Sequence, residues 1–326
     1  MDDFNYSIAI RTTGKGGDKY SSLLKSIDKL EPKPQNVYVV LPENYTAPSE
    51  CLGYETYVFS KKGMMSQRIK ALDYCQSEYI LFCDDDITFD KDFVLKLYVA
   101  CENENYDIVT GELLTLLPKK SGIKHILPII TASAIPTLFH KDRYVTVLRS
   151  TGYSYNRFVA HQGMILPTQS AAGAVVFAKI NSFKKIFLDD ELWAQHDAFA
   201  PAEDQIMFYK ANCIGLKVGV ATDAHYNHLD AKLSVTKKEM KIKKRYWSGY
   251  NRYVFWYRFI YSREKNIFGC IVAIIAFRYY RISGFIFGII RKIFGTNDGF
   301  LDFYKGLRDG KRFIKSEDYK KISKIQ

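Results

Sequence analysis

An α/β fold is predicted for most of this chain: a doubly wound, mostly parallel sheet with flanking helices, followed by a basic and aromatic helical region. Three observations predict it. The first 112 residues alternate short β-rich runs with apolar residues at helical spacing, the pattern of parallel strands joined by crossover helices. One hydrophobic run, YILFC, ends abruptly at Asp84-Asp85-Asp86, and such sheets bind ligands beyond the carboxyl ends of their strands. Finally, the excess positive charge is confined to one stretch near the C-terminus.

The elements follow in order. Residues 7–11 (SIAIR) and 37–41 (VYVVL) are strands, and between them Leu23, Leu24, Ile27 and Leu30 mark a helix over residues 20–30 that Pro32 and Pro34 stop. Residues 57–59 form a third short strand, 66–74 a helix, 79–83 a buried strand, 93–103 a helix and 107–112 another strand. The pattern weakens from 113 to 166, where Pro118, Pro128 and Pro136 stand among Ser, Thr and Lys. Long loops and irregular helices are expected there. Order returns at 171–178, then a helix at 204–214 and a strand at 217–220. We therefore expect an α/β domain over 1–236 and an amphipathic helical region over 237–326.

Composition limits the function. Hydrophobic residues make up 47% of the chain, which excludes wholesale disorder. No two of the six cysteines form a CxxC pair, and the N-terminus has no basic segment followed by an apolar one, so reduced thiols and a cytoplasmic setting are expected. Residues 237–295 hold fourteen Lys/Arg against two Glu, a surplus equal to the whole net charge of +12. Aromatic residues crowd the same stretch. Basic plus aromatic is the composition of a helix lying on an anionic membrane surface. The longest uncharged run there, residues 266–277, is shorter than the roughly twenty residues needed to span a bilayer, so a peripheral helix is expected. A packed helical subdomain with a solvated basic edge has the same composition, whereas a nucleic-acid partner is not expected.

Three adjacent carboxylates at a strand end repel one another unless a cation is present. A divalent metal bridging them to a diphosphate removes the conflict, because hard cations prefer carboxylate and phosphate oxygens. YILFCDDDITFDKDFVLKL resembles the DxD segment of family 2 glycosyltransferases of the GT-A type. The segment from Lys61 to Arg68 is similar to that family's Gly-x-x-x-x-Arg stretch along the nucleotide. SIAIRTTGKGG resembles its opening strand and loop, and Glu203-Asp204-Gln205 resembles its ED motif. The likeness covers about residues 5–230.

The resemblance implies an inverting transfer of a sugar from a nucleotide-diphospho-sugar to a saccharide or lipid-linked acceptor, with Mn²⁺ or Mg²⁺, in bacterial cell-surface polysaccharide synthesis. It implies donor contacts from Arg11, Thr12, Thr13, Lys62, Gly63, Gln67, Arg68, Asp84 and Asp85, and metal ligation by Asp84 and Asp86. His228 completes the metal site, with His225 its competitor, and Asp204 is the base, with Glu203 its competitor. Family members commonly carry Asp after the second strand, where this chain has Pro42 followed by Glu43; Glu43 is the substitute for reading the base. Glu191 and Asp197 are acceptor-side candidates, while His125, His140, His161 and His196 are expected to be packing or surface residues. An oligomer is left open. Two rival functions share the scaffold: a sugar-phosphate nucleotidyltransferase, and a non-catalytic membrane- or polyanion-binding protein.

Overall fold

The computed structural model describes residues 4–113, 123–134, 143–156, 163–196, 200–229, 238–295 and 299–325. The elements in chain order are β1 (Tyr6–Arg11), α1 (Asp18–Asp28), β2 (Asn36–Pro42), β3 (Thr56–Ser60), α2 (Met64–Ala71), β4 (Tyr79–Asp84), β5 (Ile87–Phe89), α3 (Phe93–Asn103), β6 (Ile108–Leu113), α4 (Ile123–Ile130), β7 (Val145–Val147) and β8 (Ser154–Asn156). Then come β9 (Ile165–Pro167), β10 (Val175–Lys179), α5 (Ile180–Lys184), α6 (Glu203–Cys213), β11 (Val218–His228), α7 (Lys238–Phe255), α8 (Ile267–Ile293), α9 (Phe300–Phe313) and α10 (Glu317–Lys320). They fall into two compact units: Met1–Leu117 with Val159–Ser234, and Pro118–Phe158 with Val235–Gln326.

The first unit is built on a nine-stranded sheet in the order β3-β2-β1-β4-β10-β6-β11-β5, with β9 also on β11. β3, β2, β1 and β4 are parallel neighbours, as are β6 and β11, and β10 runs antiparallel between β4 and β6. The sheet is therefore mostly parallel, as the alternation of elements predicts. Its central strands are covered on both faces, which is why they are near-continuous hydrophobic runs: Ile80, Leu81, Phe82 and Cys83 of β4 are all buried. On α1 the residues Tyr20, Leu23, Leu24 and Ile27 are buried at i, i+3, i+4 and i+7, the stripe that seats the helix on the sheet.

The course of β11 differs from the sequence reading. β11 extends to His228 rather than ending at Val220, and its pairing with β6 shifts register between Ala221 and His225. A bulge of this kind lets a strand continue while turning its later residues to new partners. Here β11 goes on to pair antiparallel with β5, setting His228 opposite Ile87.

The second unit is helical, with the small β7–β8 hairpin. α7 and α9 cross where Gly249 and Gly306 leave no room for a Cβ: at each, one helix's backbone fills the space against the other's. Many rings of the basic segment turn inward: Tyr253, Phe255, Trp256, Phe259, Phe277 and Tyr280 are buried, and Trp256 stacks on Phe277 at 4.3 Å between centroids. The exposed apolar surface is instead a stripe of isoleucines on α8. That helix is longer than the uncharged run suggested. It continues through Arg278 and Arg281 for 27 residues, an 18-residue stretch of which has a mean hydropathy of 1.6, and by length and composition alone it is able to cross a membrane. Arginine is a good helix former, so a charge that interrupts an apolar run need not end a helix.

Candidate active site

The site begins with a register. β1 and β4 pair so that Arg11 lies opposite Asp84 at the carboxyl ends of both strands. The Arg11 guanidinium holds Asp84 through Nη2 at 2.6 Å and Nε at 2.8 Å, and its Nη1 reaches Glu203 Oε1 at 2.6 Å. Arg68, in the last turn of α2, donates to the other Glu203 oxygen at 3.1 Å and to the Gly173 carbonyl at 3.0 Å. Glu203 thus sits between two arginines with a side-chain exposure of 3%. Burial alone would raise its pKa, but Arg68 and Arg11 outweigh that and hold its carboxyl below the usual range.

Around this bridge the backbone ends are tied together. Gln67 donates from Nε2 to the carbonyls of Thr12 at 2.8 Å and Val40 at 2.7 Å, clamping the exits of β1 and β2. Thr12 Oγ1 donates to Asp85, the middle aspartate, which is thereby turned toward the first loop. Burial pushes the Asp85 carboxyl above its ordinary value, with the Thr12 hydrogen bond opposing.

Asp204 adjoins this network but occupies a different environment. Ala202, in a left-handed conformation with φ of 64°, turns the chain into α6, so that Glu203 and Asp204 occupy the first helical turn, where acidic groups suit the helix dipole. Asp204 is half-buried and accepts a hydrogen bond from the Gly173 backbone. A Cβ on Gly173 would collide with its carboxylate, so a larger residue there would displace Asp204. Burial and then the neighbouring Glu203 charge push Asp204 up to about 7, against the pull of Arg68 and Arg11. A carboxyl poised there accepts a proton far better than one in the ordinary range. Glu203 is locked in ion pairs, whereas Asp204 is the member suited to base chemistry.

The third part is a potential metal site. The β5–β11 pairing brings His228 beside Asp86, with Nδ1 3.6 Å from Asp86 Oδ2. One ligand atom each from Asp84, Asp86 and His228 lies within 4.8 Å of the others. His228 Nδ1 is buried and has no hydrogen-bond partner; such an orphan is costly unless something coordinates it. Two carboxylates and an imidazole suit Mn²⁺, and Mg²⁺ through the carboxylates, so the residues present fit the metal. His225 is turned elsewhere: its Nε2 lies 3.7 Å from Glu112.

The remaining expected donor residues are not drawn into this network by the hydrogen bonds and ion pairs described. Thr13, Glu43 and Lys62 are exposed; the Glu43 amide bonds the Ser60 carbonyl at 2.8 Å, and the Lys62 ammonium lies 5.3 Å from the Tyr45 ring centroid. Gly63 precedes α2 and is covered by Gln195. Gln195 caps that helix, accepting from the Met65 and Ser66 amides at 3.0 and 3.1 Å. Neither Gln195 nor Gly173 stands out in the sequence, since each acts on a partner far away in the chain. Glu191 is a structural residue rather than a pocket wall: fully buried, it pairs with Lys210 at 2.7 Å and accepts from Trp193 Nε1 at 2.7 Å. Asp197, His140, His161 and the side chain of His125 lie outside the described residues.

Residues 49–162 match the profile described as Glycosyl transferase family 2. No curated protein matches the sequence. Among solved structures, GalNAc-T7, described with UDP, GalNAc and Mn²⁺, is similar at 11% identity over 86% of this chain and 56% of that one, with a TM-score of 0.54. TarS 1-349 of S. aureus is 14% identical over 87% of this chain and 72% of that one, with a TM-score of 0.48. The present chain thus spans little more than half of GalNAc-T7, and that likeness is one of fold. The profile match takes in α2, β4 and the three aspartates, so over that third of the chain the sequence is similar to glycosyl transferase family 2, and the mostly parallel sheet with flanking helices is the GT-A type of fold.

Proposed function

We propose that the protein transfers a sugar from a nucleotide-diphospho-sugar to a hydroxyl of a saccharide or lipid-linked saccharide, with inversion at the anomeric carbon. One observation carries this reading: at the end of one sheet, a metal-competent group of Asp84, Asp86 and His228 accompanies a carboxylate, Asp204, held near neutrality. Asp204 takes the proton of the acceptor hydroxyl as that oxygen bonds to the anomeric carbon, and the bond from that carbon to the diphosphate breaks on the opposite face. Asp84, Asp86 and His228 would hold Mn²⁺ or Mg²⁺, which when bound would supply positive charge to the departing diphosphate. Arg11 and Arg68 keep Glu203 ionised and fixed, which maintains the field that Asp204 experiences. Bacterial cell-surface polysaccharide synthesis is the setting that the family resemblance suggests.

The metal assignment is tested by titrating Mn²⁺ into the protein and following the free ion by electron paramagnetic resonance. Asp86→Ala and His228→Ala are each expected to weaken binding by at least about tenfold, since even outer partners of metal ligands are worth 10–100-fold. His225→Ala should bind as the wild type does. The reverse result for the two histidines would move the site to Glu112.

We also propose a peripheral position at the inner face of the cell membrane, with α8 lying in the interface rather than crossing it. At 1.5 Å per residue α8 is about 40 Å long, but Arg278 and Arg281 sit at its middle. A guanidinium at the bilayer centre costs about 2.5–3.5 kcal/mol on insertion scales. One face is also committed already, with Ala273, Phe277, Tyr280 and Gly288 buried. A helix with one packed face and one exposed apolar face is suited to lie in the plane of the membrane.

A further inference from the structure

Near the middle of α8, Arg278, Arg281, Ile282, Phe285 and Ile286 line an open groove of about 420 Å³, completed by Tyr304 of α9. The two arginines are three residues apart, so they share a helix face, and among the described residues no acidic side chain lines the groove. Arg278 is exposed. Arg281 is half-buried, and its Nε is a buried donor with no hydrogen-bond partner. Tyr304 is held in place by donating its hydroxyl to the Arg281 carbonyl at 2.6 Å. Beside these cations runs the apolar stripe: Ile271, Ile275, Ile282, Ile286, Ile289 and Ile293 are between 41% and 75% exposed. They recur at intervals of three, four and seven residues, which is one face of a helix.

The groove therefore joins two kinds of chemistry. Its guanidiniums match the geometry and charge of phosphate oxygens. Its isoleucines and Phe285 continue into an apolar track that phosphate alone would leave in water. An anion with an apolar tail satisfies both. We propose that this groove binds the phosphate headgroup of an anionic phospholipid, with the acyl chains running along the exposed isoleucine face of α8. The inference rests on the membrane-surface position proposed above and adds a specific headgroup site to it. A second copy of this chain would cover the isoleucines but supplies no reason for the cation pair, so lipid is the occupant that the charge favours.

The test uses the full chain and vesicles of phosphatidylcholine, with and without phosphatidylglycerol. Binding is measured by sedimentation for wild type, Arg278→Gln/Arg281→Gln and Ile282→Asn/Ile286→Asn. The second pair alters only exposed side chains, at 61% and 53%, and serves if the arginine variant fails to fold by circular dichroism. Either variant is expected to lose at least tenfold in affinity for phosphatidylglycerol vesicles. Dihexanoyl-phosphatidylglycerol below its micelle concentration should bind the wild type saturably and either variant at least tenfold more weakly. If the folded variants bind anionic vesicles as the wild type does, the groove proposal is overturned while the membrane position stands. No binding of the wild type to either vesicle removes both. Displacement of the short-chain lipid by inorganic phosphate at equal concentration would make this a site for free phosphate, against the proposal. Wild-type self-association that Ile282→Asn/Ile286→Asn abolishes, without vesicle binding, would make it a contact between copies and likewise overturn it.

Discussion

Asp204→Asn is expected to leave the fold and donor binding intact while lowering the transfer rate by about 10²–10⁴, the range for losing a positioned general base. The amide keeps the volume and a hydrogen-bond acceptor toward Gly173 but takes no proton from the acceptor. The pH profile carries the same information with a definite sign. Only ionised Asp204 is a base, and burial beside Glu203 pushes its pKa up to about 7. The wild-type rate should therefore rise with pH through about 7 and then level off, and the variant should lose that limb. Single-turnover kinetics with donor and acceptor reads both. A folded, inactive Glu203→Gln beside an active Asp204→Asn would reverse the two roles.

Glu203→Gln is expected to act on stability first. Its carboxylate joins two arginines, at 2.6 Å to Arg11 and 3.1 Å to Arg68, and the Arg68 and Glu203 side chains are both only 3% exposed. Removing one partner of a buried ion pair leaves uncompensated charge and costs about 3–5 kcal/mol. Urea denaturation at neutral pH should show a loss of that order. This contribution also depends on pH. The Glu203 pKa is lowered in the folded protein, so its contribution is present above the ordinary carboxylate range and is lost as pH falls through the lowered value. A variant as stable as wild type at neutral pH would mean that the arginines are satisfied without it.

The elements that were legible in the sequence are those whose burial is symmetric or strictly periodic. β1, β2 and β4 are apolar throughout because both sheet faces are covered, and α1 shows its stripe plainly. Asp84 and Asp86 were visible because they follow such a strand without a break. The far end of β11 was not: Asp223 and Asn227 interrupt its apolar pattern, and the register shift between Ala221 and His225 follows no simple period. Consequently the choice between His225 and His228 rested on resemblance until strand pairing placed one beside Asp86 and the other beside Glu112. The Arg11–Glu203 pair spans 192 residues, a distance over which periodicity carries no information. In the second unit composition marks the basic, aromatic segment but not its faces. Rings such as Phe277 and Tyr280 pack inward, while isoleucines that resemble core residues point outward. Arg278 and Arg281, which interrupt the apolar run, proved to lie within one continuous helix.

The most direct test of the proposed chemistry is to identify which bond of the donor breaks. The wild-type protein is incubated with a panel of nucleotide-diphospho-sugars in Mn²⁺ or Mg²⁺, and the nucleotide products are resolved by chromatography. Release of a nucleoside diphosphate from at least one donor, abolished by chelation and by Asp86→Ala, is the expected result. Release of a nucleoside monophosphate with sugar phosphate, or no turnover of any donor in either metal, would contradict a glycosyltransferase reaction at this site.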